Sequence, residues 1–269
     1  MKGYSCPRCQ NRKLYSVRRG KKRCQNCLYE WTPKIAGTRL TRAVWKKILF
    51  WFVLGHSLRT ISQQTGVSHY SVEKAINIVR KVMIKDIPGV FSGTVEVDET
   101  YLGGQKKNKT KKQLLKAILT GKESKRGRGT TKRPVFGILT RKGKVFAKLV
   151  DDTEAGDLLP IIAKRVKAGS RVCSDTWRAY TGLAAQGYVH RTVEHGEKEY
   201  VQKDNRKNHI NGLEGFWGYL KRKLAAKGGV KRKYLPLFLG EYVWRYNYRE
   251  LETKNQVVRL LKKVSNFSG

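Results

Sequence analysis

The chain has 269 residues, 58 of them Lys or Arg and 20 Asp or Glu, for a formal net charge of +38. That length admits a real core and more than one folded unit, since domains commonly run about 100 to 200 residues. The charge asks for a polyanionic partner, nucleic acid ahead of an anionic membrane surface, and the longest apolar run, Ile48 to Leu54, is far below the roughly 20 residues that span a bilayer.

No secretory signal opens the chain, so a reducing compartment is expected. Cys6-x-x-Cys9, fourteen intervening residues and Cys24-x-x-Cys27 have the spacing of a four-cysteine zinc ribbon. Four thiolates leave no open position on the ion, so such a zinc would be structural. The same spacing admits two disulfides or a redox pair, which a reducing compartment disfavours. Arg8, Arg12, Lys13, Arg18, Arg19, Lys21, Lys22 and Arg23 surround the cysteines and suit phosphate contact, against the alternative of a ribbon that only folds or binds protein.

Thr41 is placed to cap a helix whose apolar face runs through Val44, Trp45, Ile48, Leu49, Phe52 and Val53. A short second helix over Ser57 to Thr65, the turn Gly66-Val67, and a third helix capped by Ser68 with Val72, Ile76, Val79 and Met83 inward follow. This is the outline of a helix-turn-helix, and it puts Ser68, His69, Tyr70, Ser71, Lys74 and Asn77 toward a DNA major groove. A three-helix connector with no DNA role has the same pattern. Asp86-Ile87-Pro88-Gly89 ends the helix and marks a boundary.

Residues 93 to 176 read β, β, β, α, β. Gly93 to Tyr101 alternates β-formers with acids, which puts Glu96 and Asp98 on one face and Glu99 on the other. Gly103-Gly104 opens a basic excursion from Gln105 to Arg133, either a DNA-tracking loop or merely a solvated one, with Leu114 to Leu119 as a further strand. Pro134 to Thr140 and Lys144 to Val150 form a hairpin about Arg141-Lys142-Gly143. A helix from about Asp157 to Val166 tolerates Pro160 only in its first turn. Ser170 to Trp177 is an apolar run that delivers Asp175 and buries Cys173.

A short helix near Tyr180 to Ala185 and a strand over Tyr188 to Val193 precede a polar segment flanked by His195 and His209. These histidines read as loop residues rather than as a second metal site. From a cap region near Asn208, Leu213, Phe216, Trp217, Leu220 and Leu224 recur at helical spacing, with Glu214 beside the stripe and Lys221 two turns on. The tail from Lys231 to Phe267 reads as packing helices.

Asp98, Asp175 and Glu214 are separated by 76 and then 38 residues. Val95-Glu96-Val97-Asp98-Glu99-Thr100-Tyr101-Leu102-Gly103-Gly104, Ser174-Asp175-Thr176-Trp177-Arg178-Ala179-Tyr180, and His209-x-Asn211-x-x-Glu214-x-Phe216-Trp217 with Lys221 resemble bacterial insertion-sequence DDE transposases of the Merlin-related group. The resemblance implies an α/β fold: a ribonuclease H-like mixed sheet with helices over 90–230, preceded by a zinc ribbon (1–36) and a helix-turn-helix (37–87), and followed by packing helices (231–269). It implies Asp98, Asp175 and Glu214 as catalytic ligands of two Mg²⁺ or Mn²⁺ ions, Lys221 on a DNA phosphate, and His209 and Asn211 as accessory groups, Asn211 being a rival for the third ligand. The implied reaction is hydrolysis at a mobile element's 3′ end, followed by attack of the released 3′ hydroxyl on target DNA. It also implies double-stranded DNA as partner, a homodimer or higher assembly, and a cytoplasmic, nucleoid-associated bacterial protein.

Two readings from other classes compete. A DNA-binding regulator, or a domesticated transposase, would use the amino-terminal modules alone; a structure-selective nuclease would cut without joining. Carboxylates gathered without a cation are costly, which weighs against the first.

Overall fold

The computed structural model of the chain describes residues 5–18, 21–31, 35–103, 110–111, 115, 119, 132–141, 143–176, 178–193 and 210–267. It divides into two compact units, residues 1–85 with 250–269, and residues 86–249. No helix among the described residues is long and apolar enough to cross a membrane.

The first unit opens with an antiparallel sheet of β1 (Leu14–Ser16), β2 (Lys22–Cys24) and β3 (Glu30–Trp31). Three helices follow: α1 (Arg42–Val53), α2 (Leu58–Thr65) and α3 (His69–Lys85). Thr41, Ser57 and Ser68 each accept a backbone N–H of the first turn they precede, so the three helix starts follow from local capping chemistry. Between α2 and α3 the chain turns at Gly66, whose φ of 68° is left-handed, and the Ser62 hydroxyl closes the turn on the Val67 carbonyl at 2.6 Å.

The tail departs from the sequence expectation of one terminal piece. Helix α7 (Thr253–Ser265) belongs to the first unit, where Val257, Leu260, Leu261 and Val264 are buried and the helix packs on α1 and α3. Helix α6 (Leu235–Asn247) belongs to the second. An apolar stripe states that a helix needs a partner and not which one.

The second unit is built on a five-stranded mixed sheet in the order β6-β5-β4-β7-β8. Its strands are β4 (Thr94–Leu102), β5 (Arg133–Thr140), β6 (Val145–Leu149), β7 (Arg171–Asp175) and β8 (Val189–Val193). β5 runs opposite to the other four strands, the mixed sheet expected of a ribonuclease H-like fold. Side-chain alternation gives each face its own core. Val95, Val97, Phe136 and Ile138 pack on one side with α4 (Ala155–Arg165) and the 3₁₀ helix Arg178–Gln186. Val135, Leu139, Val145 and Ala147 pack on the other with α5 (Asn211–Ala225) and α6.

Two local expectations are corrected. Helix α4 starts at Ala155, two residues early, so Pro160 lies inside it beyond the first turn; proline has no N–H for the Gly156 carbonyl, and the helix does without that bond. Leu115 and Leu119, the described residues of the supposed strand Leu114 to Leu119, are helical and 60% and 78% exposed. Their spacing of four serves a helix face as well as a strand.

The chain enters the second unit at Asp86 and leaves it after Arg249, and both ends are pinned within that unit. Trp244 Nε1 donates to Asp86 Oδ2 at 2.9 Å and the Tyr248 hydroxyl to the Asp86 carbonyl at 3.1 Å.

Candidate active site

β4 and β7 are parallel, with Glu96 opposite Cys173. Two residues further along, Asp98 and Asp175 come level on the same face. Carboxylate oxygens of Asp98, Glu99 and Asp175 all lie within 4.8 Å of one another. Three acids on adjacent strands repel, and Asp98 records it: burial first, then the charges of Glu99 and Asp175, raise its pKa from 3.8 to about 7, against the opposing pull of Trp217.

Glu99 corrects the expectation that it turns away. Alternation decides where its Cβ points, not where a glutamate's carboxylate ends. The Tyr180 hydroxyl, reaching in from the 3₁₀ helix, donates to Glu99 Oε1 at 2.5 Å and keeps that carboxylate beside Asp98. Burial and the nearby acids, Glu99 foremost, hold the Tyr180 hydroxyl well above its usual pKa, so it stays protonated and donating.

Glu96, on the same face of β4 as Asp98, has another task. It is 1% exposed and accepts the backbone N–H of Leu213 at 2.8 Å, so it caps α5 from the sheet. The residue before α5, Ile210, offers no side-chain cap, and Asn208 lies outside the described residues. Gly212 makes room: a Cβ there would stand 2.9 Å from Glu96 Oε2. Arg141 Nε approaches Glu96 Oε1 at 3.9 Å. Burial nonetheless dominates and raises the Glu96 pKa.

Asn211 and Glu214 are exposed in the first turn of α5, and Glu214 stands outside the group of three acids. Its charge is felt at Glu96. Lys221 is exposed on the same helix; partial desolvation lowers its pKa, Asp98 opposes that shift and Lys132 adds to it. His195 and His209 lie outside the described residues.

In the amino-terminal sheet the Cys6–Cys27 and Cys9–Cys24 sulfurs are 3.5 and 3.4 Å apart, and all four lie within 4.8 Å of one another. A tetrahedral zinc with bonds of about 2.3 Å sets its sulfurs about 3.8 Å apart, so the cluster fits that ion; a disulfide would need about 2.05 Å. The Asn11 backbone N–H leads in bringing the Cys9 pKa down to about 6, whereas Cys27, against the pull of the Tyr29 backbone, is pushed up to about 12 by burial and the other three sulfurs, so the sulfur spacing carries the fit to zinc.

The cap residue Ser68 and, on α3, His69, Tyr70 and Lys74 are exposed, and Asn77 is half-buried. Tyr70, Glu73, Lys74, Asn77, Ile78 and Lys81 share one face of the helix.

Sequence reasoning missed three residues that shape the carboxylate group. Tyr180 and Trp217 stand in the quoted motifs but carried no role, and Gly137 was read only as part of a strand. An aromatic with an N–H or O–H near an acid motif is the signal that was present.

Residues 90–247 match the family described as the ISXO2-like transposase domain. The chain is 32% identical over 124 residues to an uncharacterized transposase-like protein of Haemophilus influenzae, a stretch that covers 46% of this chain and 98% of that protein. It also aligns with the crystal structure of a pre-cleavage Mos1 transpososome over 90% of this chain and 84% of that one, at 7% identity and a TM-score of 0.23, too low to bear on the fold. With more than half its length matched, and the paired aspartates inside the matched part, the chain belongs to the ISXO2-like transposase domain family.

Proposed function

We propose that this chain is a DNA transposase that binds the ends of a mobile element, cleaves them at the 3′ strand and joins them to target DNA, using divalent metal ions. The observation that carries the reading is Asp98 beside Asp175 on adjacent parallel strands, with a third carboxylate in reach. Magnesium ligands at about 2.1 Å lie at most about 4.2 Å apart across the ion, so small rotations bring these oxygens onto a shared cation. Asp98 and Asp175 would hold it, with Glu214 on α5 as the third ligand that the resemblance implies. Bound there, Mg²⁺ or Mn²⁺ supplies charge relief at the scissile phosphate and an activated oxygen nucleophile. Lys221 meets a DNA phosphate.

The amino-terminal residues do the finding. Ser68, His69, Tyr70, Lys74 and Asn77 meet DNA from α3, the four cysteines hold a structural zinc, and the charge of +38 supplies sequence-independent attraction. Two ends held together call for two copies of the chain.

The test uses DNA carrying the element's ends, a supercoiled target and Mg²⁺ or Mn²⁺, with wild type, Asp175→Asn and Glu214→Gln. Metal-dependent joining, lost in both variants while DNA binding is kept, is the expected result. Binding without cutting in the wild type would make the chain a regulator, and cutting without joining a nuclease. Cutting that survives Glu214→Gln would remove Glu214 from the ligand set.

A further inference from the structure

Hydrogen bonds at Glu96 and at Asp98 join α5 to β4. Glu96 Oε2 accepts from the Leu213 N–H at 2.8 Å, and Asp98 Oδ2 accepts from the Trp217 indole N–H at 2.9 Å. Two residues along a strand advance about 6.7 Å and four along a helix about 6 Å, so the bonds fall at matching intervals and fix the helix against the strand. A slip by one residue would break both.

The indole has a seat made for it. Gly137 stands directly opposite Asp98 in the β4–β5 ladder, and a Cβ there would come within 2.5 Å of Trp217 Cζ2 and 2.7 Å of Cη2. Glycine in a strand interior weakens the strand and marks close approach of another group. Here that group is a tryptophan, 4% exposed, whose N–H meets one of the clustered acids. Packing alone needs no donor: Phe216, the preceding residue, is fully buried without one.

We propose that Trp217 is a positioning residue of the transposase reaction. Its N–H sets the orientation of the Asp98 carboxylate, and its seat on Gly137 sets the register of α5, which carries Glu214 three residues before it and Lys221 four after, on the same side of the helix. This rests on the reading of Asp98 and Asp175 as ion-holding acids.

The experiment measures Mn²⁺ binding to the full chain without DNA, by electron paramagnetic resonance, alongside end cleavage and joining. The variants compared with wild type are Trp217→Phe and Trp217→benzothienylalanine, the second of which keeps the indole's shape and replaces its N–H by sulfur. Asp175→Asn and Gly137→Ala complete the set. A group hydrogen-bonded to a metal ligand is commonly worth about 10- to 100-fold in affinity or activity. Benzothienylalanine and Phe are therefore expected to weaken Mn²⁺ binding by about 10-fold and to slow joining at least as much, with melting temperature and end-DNA binding retained in the benzothienylalanine protein. Gly137→Ala is expected to move both readouts the same way. Wild-type affinity and joining with benzothienylalanine, while Asp175→Asn loses Mn²⁺, overturns the role of Trp217 and leaves the ion reading standing. A wild type that binds no Mn²⁺ overturns both.

Discussion

The Tyr180 hydroxyl donates to Glu99 Oε1 at 2.5 Å from the α4 side of the sheet, while Trp217 donates to Asp98 Oδ2 from the α5 side. Two consecutive acids of one strand are thus each held by an aromatic donor, from opposite faces. The result is a carboxylate group held in place by protein donors, with mutual repulsion that a cation would relieve.

Tyr180→Phe tests the first of these donors. It removes one hydrogen bond to a carboxylate and leaves the ring in the core, so the second unit is expected to lose about 1.5 to 3 kcal/mol. Urea unfolding measures it; an unchanged midpoint would mean the bond contributes nothing.

Asp98 makes stability depend on pH. Its pKa in the fold is about 7 against an ordinary 3.8, so the folded state keeps a proton that the unfolded chain releases. The contribution is fully present below about pH 4 and is lost as pH rises toward about 7, up to ~4 kcal/mol in all. The melting temperature of wild type should fall across that window relative to Asp98→Asn, which keeps an acceptor for Trp217 and does not titrate. Saturating Mn²⁺ should restore wild type above pH 7. Parallel curves for the two proteins would refute the assignment.

Glu96 caps a helix 117 residues away. Glu96→Gln retains an oxygen for the Leu213 N–H and is expected to fold; Glu96→Ala deletes the cap and should cost about 1 to 2 kcal/mol. Hydrogen exchange at Leu213 distinguishes them, since only the alanine variant should expose that amide early.

Ending the chain after Arg249 removes Val257, Leu260, Leu261 and Val264 from the core of the first unit. Each buried aliphatic side chain contributes about 1.5 to 3 kcal/mol, so α1 to α3 should become protease-sensitive while residues 86–249 stay resistant. Equal resistance of both units in the truncated protein would show α7 dispensable.

One zinc per chain is expected on purification, released by a chelator with loss of chemical-shift dispersion confined to the amino-terminal ribbon. Cys24→Ser should abolish stoichiometric zinc. Retention of zinc in that variant would exclude the four-thiolate site.

Much of this protein is local and was legible. Cysteine spacing announces the ribbon, caps at Thr41, Ser57 and Ser68 announce helices, and period-two and period-3.6 patterns mark β4 and α5. Each depends on residues a few positions apart, whose relative placement the backbone geometry of one element dictates. The donors did not announce their acceptors. Trp217 meets Asp98 across 119 residues, Tyr180 meets Glu99 across 81, and α7 joins a unit whose other helices end at Lys85. Such pairings depend on which element packs on which face of the sheet. A hydrogen bond holds only within about 3 Å and a narrow range of angles, so only the tertiary structure, down to the missing Cβ of Gly137, decided them.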